Sequence, residues 1–403
     1  MIPADSNTPP WQSVSGPILP YGRQSIDEDD IAAVVAVLRS NWLTQGPAID
    51  RFERKIADYC GVKYAVAVAN GTAALHIAAA ALDLRPSDCL WTSPNTFVAS
   101  ANCARYLGAD VDFVDIDPRT YNLGVTKLEE KLSTAAKAGR LPKVIVPVHF
   151  AGQSCEMEAI AALARRYGII VLEDAAHAIG ASYRGRPVGS CAHSDLAIFS
   201  FHPVKIITTG EGGMVVTNRA DLYERLLRLR SHGITRDPKH MEGESHGPWY
   251  YQQTELGWNY RLTDLQAALG ESQMNKLDAF VARRRALALR YDELLRDLPL
   301  ITPWQHSDTA SAWHLYVIRL RLDLLKKTRR QIVEELRAAG IGVQIHYIPV
   351  HTQPYYRRLG FKDGDFPEAE QYYAETISLP MFPGLTDAEQ ARAAETLKII
   401  LGN

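Results

Sequence analysis

Four short segments carry residue types that can do covalent chemistry on a carbonyl compound. "SFHPVKIITTGEGG" closes an apolar run and holds Ser200 and Lys205. A lysine kept at a sheet edge is partly desolvated, so its pKa falls and its neutral amine attacks carbonyls. "VLEDAAHAIG" puts Glu173 and Asp174 at the end of another apolar run. An acidic pair there is costly unless something cationic meets it. "ANGTAAL" sits where a strand meets a helix. Gly71 lets the backbone come close, and the N–H groups of Thr72 and Ala73, with the Thr72 hydroxyl, form an anion site. "SPNTF" adds the aromatic face of Phe97. Each feature also has a plainer reading: a solvated lysine, Asp174 as a helix cap, Thr72 as the N-cap after a plain turn. Together they describe an anion-binding turn, a carboxylate, an amine and an aromatic face. A phosphorylated, cationic aromatic ring bearing an aldehyde uses all four, and pyridoxal phosphate is such a molecule.

The elements that must position these residues alternate along the chain. "KYAVAVAN", "CLWTSP", "DVDFVDID", "KVIVPVHFAG", "IIVLEDAA", "SDLAIFSF" and "GGMVVTN" read as strands, several of them continuous apolar runs. Such runs fit a sheet covered on both faces. "TAALHIAAAALDL", "TFVASANCARYLG" and "EMEAIAALARRYG" read as the helices between them. The pattern is an α/β layer with a largely parallel sheet, and ligands bind such sheets outside the carboxyl ends of the strands. Upstream, "SIDEDDIAAVVAVLRS" reads as a helix with Ser25 and Glu28 as a capping box. A polar stretch, "SHGITRDPKHMEGESHGPWYYQQTELGWNY", then interrupts the alternation. One long helix over "TDLQAALGESQMNKLDAFVARRRALALRYDELLRDL" follows. Next come a strand in "SAWHLYVIRLRL", a helix in "KKTRRQIVEELRAAG" and a strand in "GVQIHYIPV". "TDAEQARAAETLKIIL" closes the chain, with Thr386 and Glu389 as a second capping box. The expected organisation is a tail over 1–20, a large α/β domain over 21–258 and a smaller α+β domain over 259–403.

Composition removes several function classes. The 403 residues hold 44 Lys+Arg against 46 Asp+Glu, a net charge of −2, which offers no nucleic-acid footprint or polybasic membrane patch. Five scattered cysteines without a C-x-x-C read as reduced thiols of a cytoplasmic protein. The N-terminus lacks the basic and apolar regions of a signal peptide, and no apolar run is long enough to cross a bilayer. There is no G-x-G-x-x-G at a strand-to-helix turn and no P-loop. The 12 histidines show no H-E-x-x-H, and His202, His232, His346 and His351 are isolated in sequence, so no metal is expected.

The ordered set "NGTAAL", "SPNTFVASAN", "EDAAHAIG", "SFHPVKIITTGEGG" and "LGWNYRLTDLQAALG" resembles the nucleotide-sugar aminotransferases of the DegT/DnrJ/EryC/StrS group. The likeness runs from about Tyr21 to the C-terminus. It implies the type I aminotransferase fold, a homodimer with active sites at the subunit interface, and pyridoxal 5′-phosphate as cofactor, passing through pyridoxamine phosphate. Lys205 would be the Schiff-base lysine and the proton shuttle. Asp174 would pair with the pyridinium nitrogen, Phe97 would stack on the ring, and His177 would stand beside the ring oxygen. Thr72, Ala73 and Ser200 would hold the phosphate, joined by Asn259 of the other subunit.

"YGRQSIDEDDI", "NWLTQGP", "WTSPNTFVASANCARY", "SHGI" and "HYIPVHTQPYY" are similar to the branch of that group that serves pseudaminic acid synthesis. That branch moves an amino group from L-glutamate to C4 of a UDP-linked 4-keto-6-deoxy-N-acetylhexosamine. The product is UDP-4-amino-4,6-dideoxy-N-acetyl-β-L-altrosamine. By the same likeness Tyr21 and Asn41, Trp42, Leu43 and Thr44 would line the nucleotide-sugar pocket. Arg261, His346 and Tyr347 would contact sugar, diphosphate or donor carboxylate, although strand packing accounts equally for the last two. Two rivals remain. A related dehydratase branch carries histidine where this chain has Lys205. A non-catalytic cofactor-binding regulator should lack Lys205 or Asp174, and both are present.

Overall fold

A computed structural model describes residues 18–402. Counting only the strands of its two principal sheets, the larger sheet contains β1 (Tyr64–Val68), β2 (Cys89–Thr92), β3 (Asp110–Phe113) and β4 (Val144–Val146). It continues with β5 (Ile170–Asp174), β6 (Leu196–Ser200) and β7 (Gly213–Thr217). Their spatial order is β1-β7-β6-β5-β4-β2-β3. All neighbours are parallel except at β7, which runs antiparallel to both β1 and β6.

The apolar runs are explained by burial on both faces. Val66, Val68, Ile198 and Val215 face the core under helices Gly71–Ala81 and Ala99–Tyr106. Their neighbours Ala65, Ala67, Ala197, Phe199 and Val216 face the opposite core, with Phe52 and Ile56 of helix Pro47–Cys60. Successive residues of a strand point to opposite faces, so a doubly covered strand has no polar side to spare.

The second sheet is antiparallel and three-stranded, in the order β8 (Leu300–Ile301), β9 (Tyr316–Leu320), β10 (Thr376–Leu379). Its core gathers Leu287, Tyr291, Ile318, Ile332, Ile377 and Leu397. Leu19 joins that core at 3% exposure. The Leu19 N–H donates to the Gly340 carbonyl at 2.9 Å, and its carbonyl accepts the Gly342 N–H at 2.7 Å. Residues 18–20 of the expected tail are thus docked, and 1–17 lie outside the described residues. No helix among the described residues is long and apolar enough to cross a membrane.

Three local expectations are corrected. The first helix is Glu28–Leu38, and its N-cap is Asp27 rather than Ser25. Asp27 and Asp30 form the reciprocal box, because Asp30 is also held by Ser272 and Gln273, which fixes where the helix starts. The long helix is two, Asp264–Met274 and Leu277–Leu294. They break at Lys276, which ion-pairs with Asp27 and Asp30. "GVQIHYIPV" forms one bridge, Gln344 to Ser378, and otherwise leaves the sheet. The Thr386–Glu389 box is present.

Candidate active site

Strand register brings three chain segments to one point. Gly213 at the start of β7 pairs with Val68 at the end of β1 and with Ser200 at the end of β6. Beyond Val68 comes Asn70, whose extended backbone makes it the N-cap of helix Gly71–Ala81. Its Oδ1 accepts the Ala73 N–H at 2.8 Å. This corrects the anion turn: Ala73 is buried and its N–H is spent on the cap, so the N–H groups left open are those of Gly71 and Thr72. A Cβ on Gly71 would lie 2.9 Å from the Ser200 Cβ, so only glycine lets this helix end meet β6.

These ends line a cavity of about 440 Å³. Thr72, Phe97, Asp174, His177, Ser200, Lys205, Tyr21, His346 and Tyr347 all reach it. Asp174, 5% exposed, ends β5 next to β6. Its Oδ2 accepts the Ser100 hydroxyl at 2.6 Å and its Oδ1 the Ala176 N–H at 3.1 Å. Thr96 in turn bonds Ser100 at 2.7 Å, so the carboxylate is held from behind and faces the cavity in one orientation. Burial lowers the Lys205 amine to about 8, and Asp174 opposes that fall. Phe97 is 57% exposed on the wall, an aromatic face left uncovered by protein.

A further part of the wall joins the turn after β5 to segments from the smaller sheet's side. The His177 Nδ1 accepts the Ala151 N–H at 3.3 Å, and its Nε2 lies 3.1 Å from the Tyr347 hydroxyl. The His314 ring stands 4.4 Å from the His177 ring. The His346 Nδ1 meets the Ser378 hydroxyl of β10 at 2.8 Å, and Tyr21 packs on the His346 ring at 5.4 Å. Burial, with Lys205 as a neighbouring cation, holds all three histidines neutral: His346 falls to about 3, and His177 and His314 lie well below their ordinary value.

Not every expected residue reaches this cavity. Besides Ala73, the residues Asn41, Trp42, Leu43, Thr44, Asn259 and Arg261 lie away from it. Residues 41–44 and Asn259 are exposed on the surface. Trp42 and Arg261 line a separate hollow of about 430 Å³ with Arg230. Asn70, Thr96, Ser100 and His314 were not singled out from sequence. The i, i+4 hydroxyl pair Thr96–Ser100 was a usable signal, whereas a lone His314 beside a strand offered none. Two wider grooves, of about 570 and 1000 Å³, include none of the residues named above at the Lys205 cavity.

Comparison with known proteins places this geometry among relatives. The DegT/DnrJ/EryC1/StrS aminotransferase family matches residues 24–398. The spore coat polysaccharide biosynthesis protein SpsC of Bacillus subtilis is 40% identical over 386 residues, covering 95% of this chain and 97% of SpsC. The structure of Helicobacter pylori PseC, an aminotransferase involved in the biosynthesis of pseudoaminic acid, superposes with a TM-score of 0.86 at 30% identity. The match covers 95% of this chain and 99% of PseC. A putative sugar aminotransferase of Streptococcus pneumoniae, Spr1654, in its PLP form gives 0.85 at 28% identity, over 95% of this chain and 98% of that one. Its PMP form matches equally well, with a TM-score of 0.85.

Proposed function

The chain belongs to the DegT/DnrJ/EryC1/StrS aminotransferase family, and from that premise we propose that it aminates C4 of a UDP-linked 4-keto-6-deoxy-N-acetylhexosamine. L-glutamate is the amino donor and UDP-4-amino-4,6-dideoxy-N-acetyl-β-L-altrosamine the product. The observation that carries the reading is the Lys205 amine, lowered to about 8 and sharing one cavity with the oriented Asp174 carboxylate.

The cavity fits pyridoxal phosphate. Thr72, Ser200 and Lys205 have no side-chain hydrogen bond among the described residues, and all three line it. The open N–H groups of Gly71 and Thr72, at a helix N-terminus, suit a phosphate. Asp174 suits a cationic ring N–H, and Phe97 suits a ring face. When bound, the cofactor supplies the electron sink for carbanion chemistry. The protein's own residues do the rest. Lys205 gives the nucleophilic amine and then moves the proton, which requires it to be neutral. Asp174, held by Ser100, would keep the ring nitrogen of a bound cofactor charged. Tyr21, His346 and Tyr347 bound the space left for the acceptor.

We further propose a homodimer in which Asn259, Arg261 and Asn41–Thr44 serve the other subunit's cavity. Their position away from their own cavity supports it, as does the exposure of Trp42, Leu43, Trp249, Tyr251 and Leu256. The test is an assay offering UDP-4-keto-6-deoxy sugars of both epimeric series with glutamate. Amination of the arabino-hexos-4-ulose alone is expected; preference for the xylo epimer overturns the substrate assignment. Sedimentation at the mass of a single chain would remove the dimer.

A further inference from the structure

Tyr347 stands at the end of a hydrogen-bond chain whose direction the backbone fixes. Ala151 adopts a left-handed conformation, with φ 56°, between Phe150 and Gly152. Its N–H thereby reaches the His177 Nδ1 at 3.3 Å. A nitrogen that accepts an N–H cannot itself carry a proton. Neutral His177 has one proton, so that proton is on Nε2. Nε2 lies 3.1 Å from the Tyr347 oxygen, and the histidine is therefore the donor there. The Tyr347 oxygen accepts, and its own hydrogen is left over. No other residue described in the structure takes it. Phe150 packs edge-on to the Tyr347 ring at 6.2 Å, and Phe97 flanks it at 6.2 Å, so the phenol is held with its O–H at the cavity.

We infer that Tyr347 is a catalytic residue that donates its phenolic proton to the carbonyl oxygen exchanged for nitrogen. The inference rests on the aminotransferase reading above. When a ketone becomes an imine, the carbon–oxygen double bond breaks and a carbon–nitrogen double bond forms. The oxygen leaves as water carrying two protons that started on the amine nitrogen. Tyr347 makes this exchange twice, each time giving one proton to the oxygen while its phenolate takes one from the nitrogen, so both protons of the water come from the amine, the tyrosine is restored and the balance closes. The Nε2–H of His177 steadies the phenolate in between. Lys205 is not suited to both tasks at once, because it handles the carbon-bound proton. Burial keeps the Tyr347 hydroxyl protonated in the resting protein.

The test separates two kinds of step. Loss of the yellow colour on mixing the loaded enzyme with the amino donor reports proton movement by Lys205 and exchanges no oxygen. Release of the oxo acid and consumption of the keto sugar both exchange oxygen for nitrogen. Tyr347→Phe is expected to keep the rate of decolourisation within about threefold and to slow both exchanges roughly 100-fold, within the range of general acid catalysis. Equal slowing of all three would make Tyr347 structural and overturn the proposal, as would exchanges that stay within threefold. If no amino acid decolourises the unsubstituted enzyme, the aminotransferase reading falls and takes this proposal with it. A second measurement needs no variant and no cofactor. Nitrogen-15 NMR of His177 in the unloaded protein should find the proton on Nε2, and a proton on Nδ1 would overturn the assignment.

Discussion

Lys205 is chemically competent because of where its strand ends. With its amine lowered to about 8 by burial, the neutral, reactive form grows in as pH rises through that value. Covalent capture of pyridoxal phosphate by unloaded protein should accelerate between about pH 7 and 9 and level off above, where the free amine would still be climbing toward about 10.4. Stopped-flow capture rates across that range check it, and a midpoint near 10 would contradict it. Lys205→Ala should be colourless, and borohydride should fix no cofactor to it. Asp174, Ser200 and Thr72 were legible in sequence because each ends an apolar strand or begins a helix, and Lys205 because it follows such a strand end in the loop after Ser200. Asn70 was not, since an asparagine and a threonine two residues apart are equally good caps by type. Only the extended backbone at Asn70 decides between them. The His177–Tyr347 contact, across 170 positions, has no local signature at all.

At the level of elements, a long-range cap holds the surface that lies away from the cavity. The Asp264 carboxylate, itself in the first turn of helix Asp264–Met274, accepts the Gly46 and Ala48 N–H groups at 2.7 and 3.0 Å. It thus caps helix Pro47–Cys60, whose own N-cap is a glycine with no side chain to offer. Asp264→Ala leaves two donors unmet and should cost about 2–4 kcal/mol in denaturant unfolding. Amide exchange should rise over residues 41–48 before it rises elsewhere. The strands themselves were readable from their apolar runs, and their order was not, because register is set by contacts between distant segments. The break at Lys276 shows the same limit. Helix propensity continues through it, and two aspartates from the first helix end it.

On the scale of the whole molecule, one cavity is walled from two sheets, and buried networks keep the walls in place. Behind Asp174, the buried Glu173 accepts a hydrogen bond from the His149 Nε2–H at 2.8 Å, while the His149 Nδ1 accepts the Cys155 N–H. Ser194 bonds the other Glu173 oxygen. His149→Ala strips the carboxylate of one partner and should destabilise by about 3 kcal/mol, read as a lower denaturation midpoint. Leu19→Ala empties a place in the smaller sheet's core and should cost about 2–4 kcal/mol. With Tyr21 only two residues away, the same substitution should weaken sugar binding more than it slows decolourisation. The antiparallel β7 has a kinetic consequence of its own. Because β6 and β7 are hydrogen-bonded neighbours, the 201–212 loop that carries Lys205 is pinned to the sheet at both ends. On the proposed reading, a Lys205 amine released from a covalent link would stay on a short tether in the same pocket, where effective molarities for well-oriented groups can reach about 10⁵ M or more. Recapture would then be a side-chain rotation rather than an encounter.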